Sequence, residues 1–238
     1  ISSFGGIHSH QLNNNDDGTI ALDDIKNAVR KNNVHFPRTS LISLENTHNM
    51  CFGTPITPDY IKLVSNIAKE NGLKIHIDGA RLFNAAVGLD IDVKELVKDA
   101  DSATFCLSKG LSAPVGSVLC GNKIFIHEAR RIRKALGGGM RQAGIIAAAG
   151  LVSLDKMIPQ LKVDHENAKR LADGISTISG LSVNTETVHT NILYFSVDES
   201  IMKGSELVQK MAQHNVKFFE VSPNRFRLVT HSNISLEY

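Results

Sequence analysis

The sequence predicts an α/β protein with a mostly parallel sheet, followed by a smaller α+β region. Three observations carry that expectation. Up to about residue 155, apolar segments of period two alternate with amphipathic segments of period 3.6, the order that strand–helix–strand crossovers produce. Polar, chemistry-bearing residues recur at the carboxyl ends of the strand-like segments, where open parallel sheets gather functional groups. After Ile158 the pattern changes to a long helix followed by short strands, which places a boundary near residue 156.

The elements follow in order. Asn13–Gly18 ("NNNDDG") is a turn signal. Segment 22–32 ("LDDIKNAVRKN") sets Leu22, Ile25 and Val29 on one helical face, with acids in the first turn. Segment 40–46 ("SLISLEN") reads as a strand ending in polar residues. Segment 57–72 is a helix: Thr57 caps, Pro58 suits the first turn, Ile61, Val64 and Ile67 form a stripe, and Gly72 terminates it. Strand 73–78 ("LKIHID"), helix 92–100, and two strands, "SATFCL" and "VGSVLC", come next, then helices over about 122–135 and 142–155. This order implies helices on both faces of the sheet. Beyond it lie a helix from Gln160, strands "LSVNTE" and "TNILYFSV", helix "GSELVQKMAQH", and strands "VKFFEV" and "RFRLVTH".

Composition narrows the function classes. The 238 residues, 42% of them hydrophobic, suffice for a sizeable core, as one large domain or two smaller ones. Twenty-six basic against 24 acidic residues leave a charge of +2, too near neutral for a nucleic-acid footprint. Cys51, Cys106 and Cys120 form no Cys-x-x-Cys pair, so zinc ribbons and disulfide frameworks are poor readings. Cys106 and Cys120 are expected to be small core residues. No apolar run has the span of a membrane helix and no basic-then-apolar leader opens the chain. A soluble, reducing, cytoplasmic setting without membrane or nucleic-acid partners is expected. The start at Ile1 and the end at Tyr238, shortly after a strand-like run, read as cut ends.

Three strand ends carry the candidate chemistry: "LENTHN" (44–49), "HIDGARLFN" (76–84) and "LSKG" (107–110). Lys109 admits two readings. A lysine desolvated at a strand end has a depressed pKa, and its neutral amine attacks carbonyls; a lysine on a turn simply snorkels to water. Asp78 lies one crossover earlier, so both groups can face one crevice. A carboxylate opposite such a lysine suits pyridoxal phosphate, whose ring nitrogen it keeps protonated; an Mg²⁺ ligand or a turn residue are the other readings. No phosphate loop of the G-x-x-x-x-G-K-[ST] type and no G-x-G-x-x-G occurs. "GGGMRQ" (137–142) precedes a helix and suits an anion there, although glycine runs also make plain turns. Arg81 and Arg227 can each clamp a carboxylate, or make a surface ion pair. His35, His48, His76 and His231 are candidate bases, with His76 structural in its strand. There is no nucleophile elbow and no metal-spaced histidine pair on a helix.

Together, "RTSLISLENTHN", "KIHIDGARLFNAA", "CLSKGLSAPVGSVLCG", "RKALGGGMRQAGIIAAAGLVSL", "TNILYF" and "RFRLVTH" resemble, in order, successive motifs of the low-specificity L-threonine aldolase family. That family belongs to the pyridoxal-phosphate aldolase/β-eliminating lyase group, with the aspartate-aminotransferase fold (fold type I). The resemblance implies a large domain over residues 1–155 that binds pyridoxal 5'-phosphate and a small domain over 156–238. It implies that Lys109 forms the Schiff base, Asp78 pairs with the pyridinium nitrogen, and Ser108 adds a phosphate contact. Arg81 and Arg227 would hold the substrate carboxylate, and His35, in "VHFPRTS", would sit near the substrate hydroxyl. Lys134 and Arg141 would reach the phosphate region of a neighbouring subunit in a homotetramer. The implied reaction cleaves L-threonine or L-allo-threonine to glycine and acetaldehyde, within threonine catabolism and glycine synthesis. The sequence departs from the family pattern in three places. The family's N-terminal segment, with its "RSDT" start, its Ser-Gly-Thr phosphate turn and its ring-stacking histidine, has no counterpart. The last helix of the small domain is not seen, and the loop after "LENTHN" reads "MCFGTPIT" without paired glycines. A related lyase or transaminase, and an inactive fragment acting as a subunit, are the alternative readings. A cofactor-free Schiff-base aldolase leaves Asp78 without a task.

Overall fold

The computed structural model describes residues 1–235; the last three residues of the expected small domain, 236–238, lie outside the described residues. The first part runs α1 (Ser2–Gly5), α2 (Leu22–Ala28), β1 (Leu41–Glu45), α3 (Pro58–Glu70), β2 (Lys74–Gly79), α4 (Leu82–Leu89), α5 (Val93–Val97), β3 (Ser102–Cys106) and β4 (Ser117–Gly121). Then come α6 (Lys123–Ala135), α7 (Gly144–Lys156), α8 (Gln160–Ser176), β5 (Leu181–Val183), a 3₁₀ turn (Thr185–Thr187), β6 (Ile192–Val197), α9 (Gly204–Gln213), β7 (Glu220–Ser222) and β8 (Arg225–Val229).

Two four-stranded sheets result. The first has the order β1-β2-β3-β4, with β1, β2 and β3 parallel and β4 antiparallel at one edge. The second, β5-β6-β8-β7, is antiparallel throughout. The first sheet packs against the stripe of α3, where Ile61, Val64 and Ile67 bury with Ile75, Ile77, Leu82 and Leu96. Thr57 Oγ1 accepts from the Tyr60 N–H at 3.3 Å, Pro58 opens the helix, and Gly72 follows it with φ of +65°. The second core joins Ala168 and Ile175 of α8 to Leu193, Phe195, Val197 and Phe226. Phe195 stacks on Phe226 with ring centroids 4.8 Å apart, and Phe218 meets Phe226 edge-on at 5.2 Å. Helix α8 also packs against α4, which ties the second core to the first.

Several expectations need correction. The helix expected over 22–32 stops at Ala28: Val29 is extended, and the Arg30 N–H is taken by Thr39 Oγ1 at 3.0 Å. "VKFFEV" forms a strand only over Glu220–Ser222, where a register shift interrupts its pairing with β8. "LSVNTE" yields three strand residues before turning into the 3₁₀ segment. Helix α4, inside "ARLFNAAVGLD", goes beyond the sequence reading, because it has no side-chain N-cap and its first half is buried. Cys106 is half-buried and Cys120 exposed, since β4 is an edge strand; Cys51 is the buried cysteine. Helix α6 buries none of its residues and leaves Ile124 81% and Ile132 59% exposed. Among the described residues, no single helix is long and apolar enough to cross a membrane.

Candidate active site

Parallel strands bring their carboxyl ends to one rim. Glu45 at the end of β1 is in register with Asp78 of β2, which is in register with Thr104 of β3. The three polar strand ends picked out in the sequence are therefore neighbours. Asp78 is exposed, and its Oδ1 accepts from the Ala80 N–H at 3.2 Å. With Glu45 and His48 it faces a cavity of about 860 Å³, also bounded by the segment around His8–His10.

Lys109 follows β3 on the same rim, outside the lining of that cavity. Of the two readings of Lys109, the structure has the solvent-exposed one: Ser108 and Lys109 both project into solvent from a turn beyond the last rung of the sheet. What is buried is the next residue. A Cβ on Gly110 would lie 2.7 Å from Leu161 Cδ2 and 3.1 Å from Asn84 Oδ1. Close packing against α4 and α8 thus requires glycine and fixes the backbone that presents Lys109.

The loop after β1 crosses to the second sheet. Asn46 N–H donates to the Asp78 carbonyl at 2.9 Å, and the Asn46 side chain makes two 3.0 Å bonds with the Ile56 backbone. Farther along, Thr190 Oγ1 donates to the Gly53 carbonyl at 2.8 Å. Gly53 has φ of +70°, and a Cβ there would lie 2.9 Å from both Ile192 Cβ and Thr190 Oγ1. Between these anchors sits Asn49. Its N–H donates to Glu45 Oε1 at 3.0 Å and its carbonyl accepts from Tyr194 Oη at 2.9 Å. Glu45 Oε2 lies 3.5 Å from His48 Nε2, and His48 Nδ1 accepts from the Cys51 N–H at 3.2 Å. His48 thus uses Nδ1 as an acceptor and turns Nε2 towards Glu45.

Arg81 precedes α4 and Arg227 lies in β8, paired with Tyr194 of β6. Both guanidinium groups point at Asn49 Oδ1: Arg227 Nη1 donates at 2.8 Å and Arg81 Nη1 lies at 3.5 Å. Burial pushes the Arg81 pKa down and the neighbouring Arg227 charge pushes it further. Two guanidinium groups thus face one neutral acceptor.

The remaining candidates lie apart. His35 is in an exposed turn, with its N–H on Asn33 Oδ1 at 2.9 Å, away from the cavity lining. Lys134, in the last turn of α6, reaches the Gly139 carbonyl at 3.5 Å, and Arg141 is exposed just before α7. His76 is structural, its Nδ1 2.9 Å from Ser102 Oγ. Sequence reasoning singles out "LENTHN" but gives Asn49 and Tyr194 no role, because their partners come from β8 and from the loop after β1. The rim offers a carboxylate, an amine and paired guanidinium groups. That donor set fits pyridoxal phosphate and an amino-acid carboxylate.

The model of a family described as beta-eliminating lyase matches residues 1–198. The chain belongs to the beta-eliminating lyase family. It is 43% identical over 238 residues to low-specificity L-threonine aldolase 1 of Arabidopsis thaliana, covering 99% of this chain and 66% of that protein. It is 41% identical over 234 residues to the low specificity L-threonine aldolase of Escherichia coli K12, covering 98% and 67%. The chain thus spans about two thirds of the length of these relatives. Among solved structures, a threonine aldolase from Leishmania major superposes with a TM-score of 0.72 at 18% identity, covering 92% of this chain and 64% of that one. At that identity the likeness shows the fold, the type I architecture of pyridoxal-phosphate enzymes expected from the sequence.

Proposed function

We propose that the protein cleaves L-threonine or L-allo-threonine by a retro-aldol reaction, giving glycine and acetaldehyde. The observation that carries this reading is the convergence of Arg81 and Arg227 on one acceptor beside the rim that holds Asp78 and Lys109. When bound, pyridoxal 5'-phosphate supplies the sink for the electron pair released from the Cα–Cβ bond. Lys109 would hold its aldehyde carbon, Asp78 its ring nitrogen in the protonated state, and Ser108 its phosphate. Arg81 and Arg227 bind the substrate carboxylate as a fork and so orient the scissile bond. His35, in the exposed turn two residues before Pro37 of the cavity wall, would have to swing inward to take the proton of the β-hydroxyl group, directly or through a water.

Residues 1–155 form the cofactor-binding domain and 156–238 the smaller one in this reading. The bare apolar face of α6, with Ile124 and Ile132 exposed, supports a homotetramer in which Lys134 and Arg141 serve a neighbouring site. A cytoplasmic setting and a place in threonine catabolism go with it.

The test is an assay of glycine and acetaldehyde release from threonine and allo-threonine, beside Lys109→Ala and a visible spectrum with added cofactor. A cofactor band and turnover, both lost in Lys109→Ala, are expected. Equal turnover in Lys109→Ala would overturn the reading.

A further inference from the structure

Asn49 occupies the point where an anion is expected. A guanidinium has donors and no acceptor, so the atom that faces two of them must be the side-chain oxygen. Arg227 Nη1 makes a short bond to it at 2.8 Å, whereas Arg81 Nη1 stands at the outer limit, 3.5 Å. One neutral oxygen cannot satisfy both groups equally; a carboxylate, with two oxygens and a full charge, can.

The fold, rather than the arginines, sets the position of Asn49. Its N–H is held by Glu45 at the end of β1 and its carbonyl by Tyr194 of β6. Asn49 is thus pinned on both sides, to the first sheet through Glu45 and to the second through Tyr194. The acceptor is built in before any ligand arrives. Its neutrality matters as much as its place. Neither guanidinium is in an ion pair among the described residues; burial first and the Arg227 charge second lower the Arg81 pKa, and Glu45 offsets this only in part. A carboxylate at position 49 would stand there as a resident counter-ion to one of the two guanidinium groups.

We propose that Asn49 is a positioning residue for the substrate carboxylate: its side-chain oxygen keeps both guanidinium groups aimed at one point and yields to the stronger acceptor. The proposal rests on the carboxylate-clamp reading above. It assigns a reason for asparagine over aspartate at this place, because aspartate would compete with the substrate as a resident counter-ion.

The experiment is equilibrium titration of the cofactor-loaded full chain with glycine and with 2-aminoethanol, which has the amine but no carboxylate. In Asn49→Asp, glycine affinity is expected to fall at least about 30-fold while 2-aminoethanol changes less than about threefold. Asn49→Ala, which only frees the guanidinium groups, is expected to lose about three- to tenfold for glycine alone. The same contrast in Asn49→Ala keeps the test decisive if Asn49→Asp does not fold. Unchanged glycine affinity in Asn49→Asp, or equal losses for both amines, overturns the proposal. Additive effects in a cycle of Asn49→Ala with Arg227→Lys also overturn it, since residues acting on one contact must couple. A wild-type chain that binds glycine but cleaves no threonine overturns the aldolase reading and leaves the role of Asn49 standing.

Discussion

Arg81, at the start of α4 beyond the first sheet, and Arg227, in β8 of the second, meet at a single acceptor, Asn49 Oδ1. Neither lies within hydrogen-bonding reach of a carboxylate in an ion pair among the described residues. Surface arginines more commonly pair with carboxylates, so this arrangement reserves two forks for an incoming anion. Arg227→Lys keeps the charge and loses the planar fork. Its KM for threonine is expected to rise about 10- to 100-fold with a smaller change in kcat, as befits a charge-assisted contact of about 1.5–3 kcal/mol. Steady-state kinetics of the variant decide it, and an unchanged KM would remove Arg227 from substrate binding.

Asp78 and Lys109 share the rim and are expected to fail differently. Lys109→Ala should abolish turnover together with the visible cofactor band. Asp78→Ala should retain cofactor yet lower kcat at least about 100-fold, because the missing charge matters most as electron density moves into the ring. Equal kcat in Asp78→Ala and wild type would sink the role given to Asp78.

Gly53→Ala tests the stitch between the loop after β1 and the second sheet. The backbone there is left-handed, and the added methyl meets Ile192 and Thr190 at 2.9 Å. A loss of about 2–4 kcal/mol in unfolding free energy is expected. Chemical denaturation measures it, and full stability would mean that the loop has room to shift.

His165 makes the fold acid-sensitive. Its Nε2 lies 3.1 Å from Asn84 Nδ2, and burial pushes its pKa down from 6.5 to about 4. The folded state therefore resists a proton that the unfolded chain accepts. The stability that neutral His165 contributes is present above about pH 6.5 and is lost as pH falls towards 4. His165→Gln, which cannot titrate, is expected to lose less stability than the wild type across that interval. Denaturation midpoints measured every half unit of pH would show whether the two curves converge in acid.

Asp164 carries the opposite sign. It is fully buried, Oδ1 accepts from Gln160 Nε2 at 3.2 Å, and Oδ2 has no partner among the described residues. Burial raises its pKa above 3.8, so the folded state favours the protonated form and loses stability as pH rises through the folded pKa. Asp164→Asn is expected to be at least as stable as wild type at pH 7, with the difference vanishing near pH 4. Lower stability of the Asp164→Asn variant at neutral pH would show that the carboxylate has a partner worth keeping.

Much of the rim is legible because it depends on local sequence. Thr57, Pro58 and the Ile61–Val64–Ile67 stripe mark α3, and a polar residue closing each apolar strand marks Asp78 and the turn of Lys109. What is not legible depends on distant parts of the chain. Helix α4 is held by burial rather than by a cap, and its sequence reads equally well as loop. Asn49 gains its meaning from Tyr194 and Arg227, which only the docking of the second sheet brings near. The apolar runs that flank Lys109 suggest desolvation; the sheet ends before that turn, so the flanking residues do not cover it.

The bare face of α6 has a thermodynamic consequence. A helix of 13 residues is marginal in water by itself, and this one buries no residue to compensate. A cover over Ile124 and Ile132 that binds the folded chain alone would link the order of α6 to its own amount by mass action. If the cover is another copy, the melting temperature must climb with protein concentration. Dilution would then loosen α6, and with it the segment that carries Lys134, leaving it mainly its packing against β4.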